Sequence, residues 1–335
     1  MAYEQNVLRR AAERLEDQRR RREEAQNARR REIYAAIPRV AEIDRQLRRT
    51  IVDIIAASLR QGNDPVPAIG VIRDKNLDLQ AERAELLVAH GYPADALDDK
   101  PACPKCNDTG WRGAVMCQCL KDLCAQEQIK ELSKLLDLGE QSFDTFSLDM
   151  YSPSPWRGSG ISPRENMEMV YEICLNYAQK FGRFYFNNLF LSGPPGLGKT
   201  FLSACIAREV AGKGCSVAYE SAPRALGEFE TQRFSRDAAE AESAAAKVRE
   251  YLDCDLMILD DLGTEMTTSF TVSALYQLVN TRLSGNRQTI ISTNLSDEEI
   301  QRRYGGQIAS RLAGEYELLT FAGSDIRRIR KERGL

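Results

Sequence analysis

Residues 193–200, GPPGLGKT, read G-x-x-x-x-G-K-T. Glycines at this spacing let successive backbone N–H groups turn toward one phosphate without side-chain clash. The apolar run NLFLS before the loop reads as a buried strand, and TFLSACIAREVAG after it reads as an amphipathic helix. The loop therefore joins the end of a strand to the positive end of a helix dipole. In that setting Gly193, Pro194, Pro195, Gly196, Leu197 and Gly198 wrap the phosphates. Lys199 sets a cation on the β- and γ-phosphates, and the Thr200 hydroxyl can ligate Mg²⁺.

The surrounding pattern alternates strand and helix. A helix at 164–181 precedes the NLFLSG strand. SVAYESA, DLMILDD and QTIISTN follow as strands, with a helical insertion at about 223–252 and a helix at 268–284 between them. Such alternation predicts an α/β fold with a parallel sheet flanked by helices. In LMILDD the apolar strand ends in two acids, at the carboxyl edge where open α/β sheets bind ligands. Asp260 is expected to hold Mg²⁺ and Asp261 to polarise the attacking water. Asn294 ends the next strand, where it can orient that water.

The N-terminal third has a different character. Residues 1–60 hold 15 Arg, no Lys and 10 acids, about +5, on a chain of net charge -3. They read as a charged helix up to Pro38 and then a second helix. The second carries one apolar stripe of Val40, Ile43, Leu47, Ile51, Ile54 and Ile55. Residues 61–70 read as a break, and a third helix is expected from about Asn76 to His90, with Leu77, Leu79, Leu86 and Leu87. A charged face with an apolar stripe suits docking to another protein.

CPKCNDTGWRGAVMCQC places Cys103, Cys106, Cys117 and Cys119 as C-x2-C-x10-C-x-C. Two close pairs across a glycine-containing hairpin can bring four thiolates to one tetrahedral Zn²⁺. An iron–sulfur cluster, a redox dithiol or plain buried cysteines are the competing readings. Four thiolates would close the coordination sphere, so the expected role is structural. Cys124 falls on the following helix, expected at about 121–138, and is the weaker ligand. No apolar run approaches the ~18 residues of a membrane span, and MAYEQNVLRR lacks the apolar stretch of a secretory signal. The expected compartment is the cytoplasm, and the expected division is 1–95 (helical), 96–125 (cysteine module), 126–165 (linker) and 166–335 (nucleotide-binding).

The order GPPGLGKT, LMILDDLGTE, IISTNLS, ASRLAGE resembles the bacterial helicase-loader ATPases of the DnaC/DnaI type, and the core is also similar to IstB-type transposition ATPases. The resemblance covers about 140–330 and reaches more loosely over the cysteine module and the N-terminal helices. It implies an AAA+ ATPase domain that binds ATP and Mg²⁺. Its partners would be a hexameric replicative DNA helicase and single-stranded DNA, with delivery of the helicase in replication initiation or restart. Arg311 matches an arginine finger that reaches the nucleotide of a neighbouring subunit, which implies self-association. Arg327 matches the sensor-2 position acting in cis. QSFDTFSLDMY (141–151) matches the segment leading into the adenine pocket, where Phe143 and Phe146 serve either as core or as base contacts. The insertion matches a region that touches single-stranded DNA, with Arg224, Arg233 and Arg236 as cations and Phe229 and Phe234 as stacking faces. Asp261 is one methylene shorter than the Glu usual at its position, which points to slow hydrolysis. The alternatives are an IstB-like ATPase acting on duplex DNA with a transposase, and an adaptor that binds ATP with negligible turnover.

Overall fold

The structure, a computed structural model, describes residues 3–59, 66–135, 142–156 and 160–334; at 51–59, 66–72 and 133–135 it describes the backbone alone. The chain divides into two compact units, Glu13–Cys117 and Met1–Ala12 with Gln118–Leu335. Helix α1 (Gln5–Ala36) runs through the division.

In the first unit α1 is followed by α2 (Pro38–Leu59) and α3 (Val66–Ala89), then by a hairpin of β1 (Trp111–Arg112) and β2 (Val115–Met116). The chain turns between α1 and α2 where Pro38 takes the first helical position, whose N–H has no partner within the helix. Ile33, Ile37, Val40, Leu87, Ala96 and Leu97 form the core. Ile43 is also buried, whereas Ile51, Ile54 and Ile55 of the expected stripe lie outside the described side chains. The third helix begins ten residues earlier than expected, at Val66. Pro67 sits in its first turn, where proline is tolerated, so residues 66–70 of the supposed break at 61–70 are helix; residues 60–65 lie outside the description. Leu79 and Leu87 are buried, but Leu77 points to solvent at 57% exposure.

The second unit contains α4 (Gln118–Leu135), two short 3-10 turns at Phe143–Thr145 and Leu148–Met150, and α5 (Pro163–Gln179). Then come β3 (Leu189–Ser192), α6 (Lys199–Gly212), β4 (Val217–Ser221), α7 (Ala222–Phe234), α8 (Ala238–Asp253) and β5 (Leu256–Leu262). The chain continues through α9 (Ser269–Ser284), β6 (Gln288–Thr293), α10 (Asp297–Tyr304), α11 (Gly306–Glu315), β7 (Glu317–Thr320) and α12 (Ile326–Arg333). The sheet has the order β4-β5-β6-β3-β7, and every pairing is parallel. The α/β parallel sheet read from the sequence is thus observed, with one strand more than the four expected. The extra strand, β7, is a four-residue edge strand with Leu318 48% exposed, too short and too mixed to announce itself.

Alternate residues of each strand enter opposite layers. Leu189, Leu191, Ile258 and Ile290 pack under α5 and α6, while Phe190, Met257, Leu259 and Ile291 pack against α7, α8 and α9. Burial on both faces explains why these strands read as continuous apolar runs. Some of the helix starts carry capping boxes. Ser162 and Glu165 form a capping box with Pro163 at the first position of α5, and Ser296 with Glu299 does the same for α10.

Strand β4 is one edge of the sheet, and the first turns of α1 lie beside it. Val7 and Ala11 are buried, Tyr3 donates to the Gly214 carbonyl, and Glu4 pairs with Lys247 at 2.6 Å. Gln128 of α4 donates to the Val217 carbonyl at 3.0 Å.

On the far layer, Arg282 is fully buried. Its guanidinium donates to the carbonyls of Tyr251 (2.6 Å), Cys254 (3.1 Å) and Gln288 (2.5 Å) and to Thr289 Oγ1 (2.9 Å). It thereby caps the end of α8 and ties that helix to β6, with a cation where a helix C-terminus favours one. Removing it would orphan buried carbonyls at about 1–3 kcal/mol apiece. Arg282→Met is therefore expected to lower stability by at least about 3 kcal/mol, read from the urea midpoint. A loss below about 1 kcal/mol would show that water or repacking replaces the guanidinium.

Candidate functional site

The loop at 193–198 joins the carboxyl end of β3 to the start of α6 and is braced from several sides. Gly193 N donates to Thr293 O (3.3 Å), Ile326 N donates to Gly196 O (2.9 Å), and the buried Tyr151 hydroxyl donates to Leu197 O (2.9 Å). Two of its glycines are required by geometry. Gly193 has φ +147°, and a Cβ there would stand 2.5 Å from the Phe321 carbonyl oxygen. Gly196 has φ +77°, and its Cβ would overlap the Asp325 carboxylate, which itself caps α12 by accepting from Arg327 N (2.9 Å).

Lys199 is buried at the first turn of α6. Its ammonium donates to the carbonyls of Gly193 (2.5 Å) and Pro194 (2.9 Å) and to Asn294 Oδ1 (2.6 Å), three neutral oxygens. Burial lowers its pKa most, the charges of Asp261 and Asp260 oppose that, and the Arg327 charge lowers it further. A desolvated cation beside a ring of backbone amides suits an anion.

Asp260 ends the regular part of β5, and both of its oxygens are bonded. Oδ2 accepts from Thr200 Oγ1 (3.1 Å) and from the Tyr219 hydroxyl (2.7 Å). Oδ1 accepts from Ser292 Oγ and from Asp261 N (3.2 Å). Beyond Leu259 the β5–β6 register shifts, so that Leu259 faces Ile291 but Leu262 faces Thr293. Asp261 stands in this bulge with φ +56°, an uncommon conformation for a residue with a side chain. Successive strand residues ordinarily point to opposite faces, and a bulge can re-aim one of them. Here both acids act on Lys199. Burial raises the Asp261 pKa most and the Asp260 charge raises it further, while Lys199 and Arg327 lower it.

The structure thus brings Lys199, Thr200, Asp260, Asp261 and Asn294 to one end of the sheet. Arg327, exposed on α12, is near enough for its charge to reach Lys199 and Asp261. Arg311, on α11, instead has its guanidinium 5.5 Å from the Tyr276 ring centre and 3.5 Å from that hydroxyl. Phe143 is buried in the core, whereas Phe146 is partly buried and stacks on Tyr171 at 5.2 Å, with Phe201 and Tyr151 alongside. In the insertion one expectation fails. Phe229 is 4% exposed and belongs to the core under α7, so it offers no stacking face. Phe234 is 59% exposed, packs edge-on to Phe270, and has the Arg233 guanidinium 6.0 Å from its ring, while Arg224 pairs with Glu220. Sequence reasoning missed Tyr151, Tyr219, Ser292 and Asp325. Tyr219 and Ser292 lay inside quoted strands and Tyr151 at the end of QSFDTFSLDMY, but none of the four carries a motif that announces its contact with the loop or Asp260.

Residues 184–313 match the family of IstB-like ATP binding proteins. The replicative helicase loader DnaC of Escherichia coli K12 is 26% identical over 121 residues, 36% of this chain and 48% of DnaC. The chromosomal replication initiator DnaA of Gluconobacter oxydans is 29% identical over 160 residues, 45% of this chain and 32% of DnaA. The matches thus span about half of DnaC and a third of DnaA. Among solved structures, the DnaC helicase loader (18% identity, 54% of this chain, 98% of that one) and DnaI (18%, 58% and 93%) each superpose with a TM-score of 0.43.

The sulfurs of Cys103, Cys106, Cys117 and Cys119 all lie within 4.8 Å of one another, with 3.7 Å between Cys103 and Cys117. Thiolates around a tetrahedral zinc at about 2.3 Å stand about 3.8 Å apart, so the set fits that ion. The Asp108 carboxylate shapes the first pair by accepting from Cys103 N (2.7 Å) and Ala102 N (3.1 Å), and Arg22 pairs with it. Cys124 stands outside the cluster, and burial pushes its thiol up to about 11. No helix among the described residues is long and apolar enough to cross a membrane.

The glycine geometry yields a test free of any ligand. Gly193→Ala must take up a disfavoured φ against a backbone oxygen that cannot rotate away. It is expected to cost about 1–3 kcal/mol, seen as a lower melting temperature of the apo protein. An unchanged melting temperature would mean that the loop and Phe321 are not packed as described.

Proposed function

We propose that this chain is an ATP-dependent loader that binds the replicative DNA helicase and delivers it to single-stranded DNA. The observation that carries the nucleotide half of this reading is the convergence of Lys199, Thr200, Asp260 and Asn294 at the end of one parallel sheet. The loop amides and Lys199 would hold the phosphates of ATP. Thr200 and Asp260 would hold Mg²⁺, which neutralises phosphate charge when bound. Lys199 would exchange the carbonyls of Gly193 and Pro194 for phosphate oxygens. Asp261 would accept a hydrogen bond from the attacking water, and Asn294 would orient that water. Arg327 would act on the same nucleotide in cis, and Arg311 would complete the site of an adjacent protomer. Hydrolysis by such a set is expected to be slow and stimulated by partners or DNA.

The partner half rests on the similarity to DnaC and on the charged helical segment. We assign partner binding to 1–95, a zinc module to 96–125, the adenine-side segment to 126–165 and the ATPase domain to 166–335. The protein would work in the cytoplasm, and Arg224, Arg233, Arg236 and Phe234 are the candidate contacts to single-stranded DNA. The IstB-like match favours a second reading, an ATPase that assembles on duplex DNA with a transposase. The two readings separate in one pair of measurements. The loader captures the hexameric helicase in a pull-down with the full chain and prefers single-stranded DNA in the presence of ATP. Preference for duplex, with no helicase recovered, would favour the transposition reading.

Two further outcomes are expected. Lys199→Ala should weaken labelled-ATP binding at least about tenfold, since charge-assisted bonds to phosphate are lost. Undiminished affinity would end the nucleotide assignment. Purified protein should carry one zinc per chain by elemental analysis, and Cys103→Ser should lose it. Iron in place of zinc, or no metal at all, would replace the structural-zinc reading by one of its competitors.

A further inference from the structure

We infer that Tyr219 and Ser292 are positioning residues that fix the carboxylate of Asp260, and through it the affinity of the site for the divalent cation. The inference rests on the reading of Asp260 as a ligand of nucleotide-bound Mg²⁺.

Asp260 lies on an interior strand, with β4 on one side and β6 on the other. Ser221 of β4 pairs with Asp260, and Tyr219 stands two residues earlier, opposite Ile258. The same face of the sheet carries Tyr219, Ile258 and, by alternation, Asp260. A diagonal neighbour two residues along a paired strand is within reach of an aromatic side chain. The phenol spans that diagonal and donates to Oδ2 at 2.7 Å. From the opposite strand Ser292, just before the register of β6 changes, donates to Oδ1. Tyr219, Asp260 and Ser292 are all buried.

An ionised carboxylate offers about four acceptor sites. Here they are taken by Tyr219, Ser292, the Asp261 amide and Thr200. Three of these donors come from the sheet and hold the carboxylate plane. The fourth, Thr200, starts α6 beside the phosphate loop. A cation can therefore enter from the Thr200 side alone, meeting an oxygen whose orientation is already set. Partners of this kind behind a metal-binding carboxylate are worth roughly 10–100-fold in metal affinity.

The test uses the full-length protein and a fluorescent ATP analogue, titrated at rising Mg²⁺ and, separately, in excess EDTA. Tyr219→Phe keeps the ring that fills the core and removes the donor. It is expected to raise the Mg²⁺ concentration for half-maximal nucleotide binding at least about tenfold, with the affinity measured in EDTA unchanged. Ser292→Ala should shift the same quantity in the same direction, and it carries the test if Tyr219→Phe does not fold. A normal Mg²⁺ dependence in a folded variant, or equal weakening with and without Mg²⁺, overturns the positioning role. Failure of the wild type to bind the analogue at all would instead remove the nucleotide reading on which the inference stands.

Discussion

Parallel pairing of β3 with both β6 and β7 sets the geometry on which the site depends. Because β4, β5, β6, β3 and β7 all run the same way, their carboxyl ends open at one edge of the sheet. The phosphate loop leaves β3 there, Asp260 and Asp261 end β5, Asn294 follows β6, and Phe321 follows β7 against Gly193. None of these groups is close to another in sequence except the acid pair. Their meeting is a product of strand direction and of two apolar layers that bury each strand on both faces.

Within that frame the charges are mutually adjusted. Lys199 is desolvated, and the two aspartates oppose the loss of its proton; Asp261 is desolvated too, and Lys199 opposes its gain of one. The neutral oxygens now around the ammonium leave it short of negative charge, which is the condition that favours a phosphate. The same contrast separates Asp260 from Asp261. Asp260 has both oxygens bonded by its neighbours, while Asp261 sits in a bulge with a left-handed backbone. One acid is held still and the other is presented.

The strand–loop–helix of 189–212 was legible because apolar runs, glycines and a lysine fall at spacings that few other structures demand. The Walker-type acids and Asn294 were legible because each ends an apolar run. Tyr219 was not, since a tyrosine inside VAYES reads as an ordinary strand residue until its neighbour across the sheet is known. Phe229 misled for the opposite reason. An aromatic amid Arg and Glu looks exposed, but it lies with Leu226 on the α7 face that shares a core with Met257. The β5 bulge was invisible because LMILDDL carries no glycine or proline to mark it. The early start of α3 was hidden by Pro67, which reads as a breaker except in a first turn.

The docking of α1 beside β4 bears on where this protein can be cut. The segment that matches IstB-like proteins, 184–313, omits both Val7 with its neighbours on one margin and β7 on the other. An excised fragment with those limits would present two bare strands, each with unsatisfied amides and carbonyls open to pairing with another copy. Covering both margins argues for cuts that retain the first turns of α1, by tethering or by co-expression, together with everything through β7.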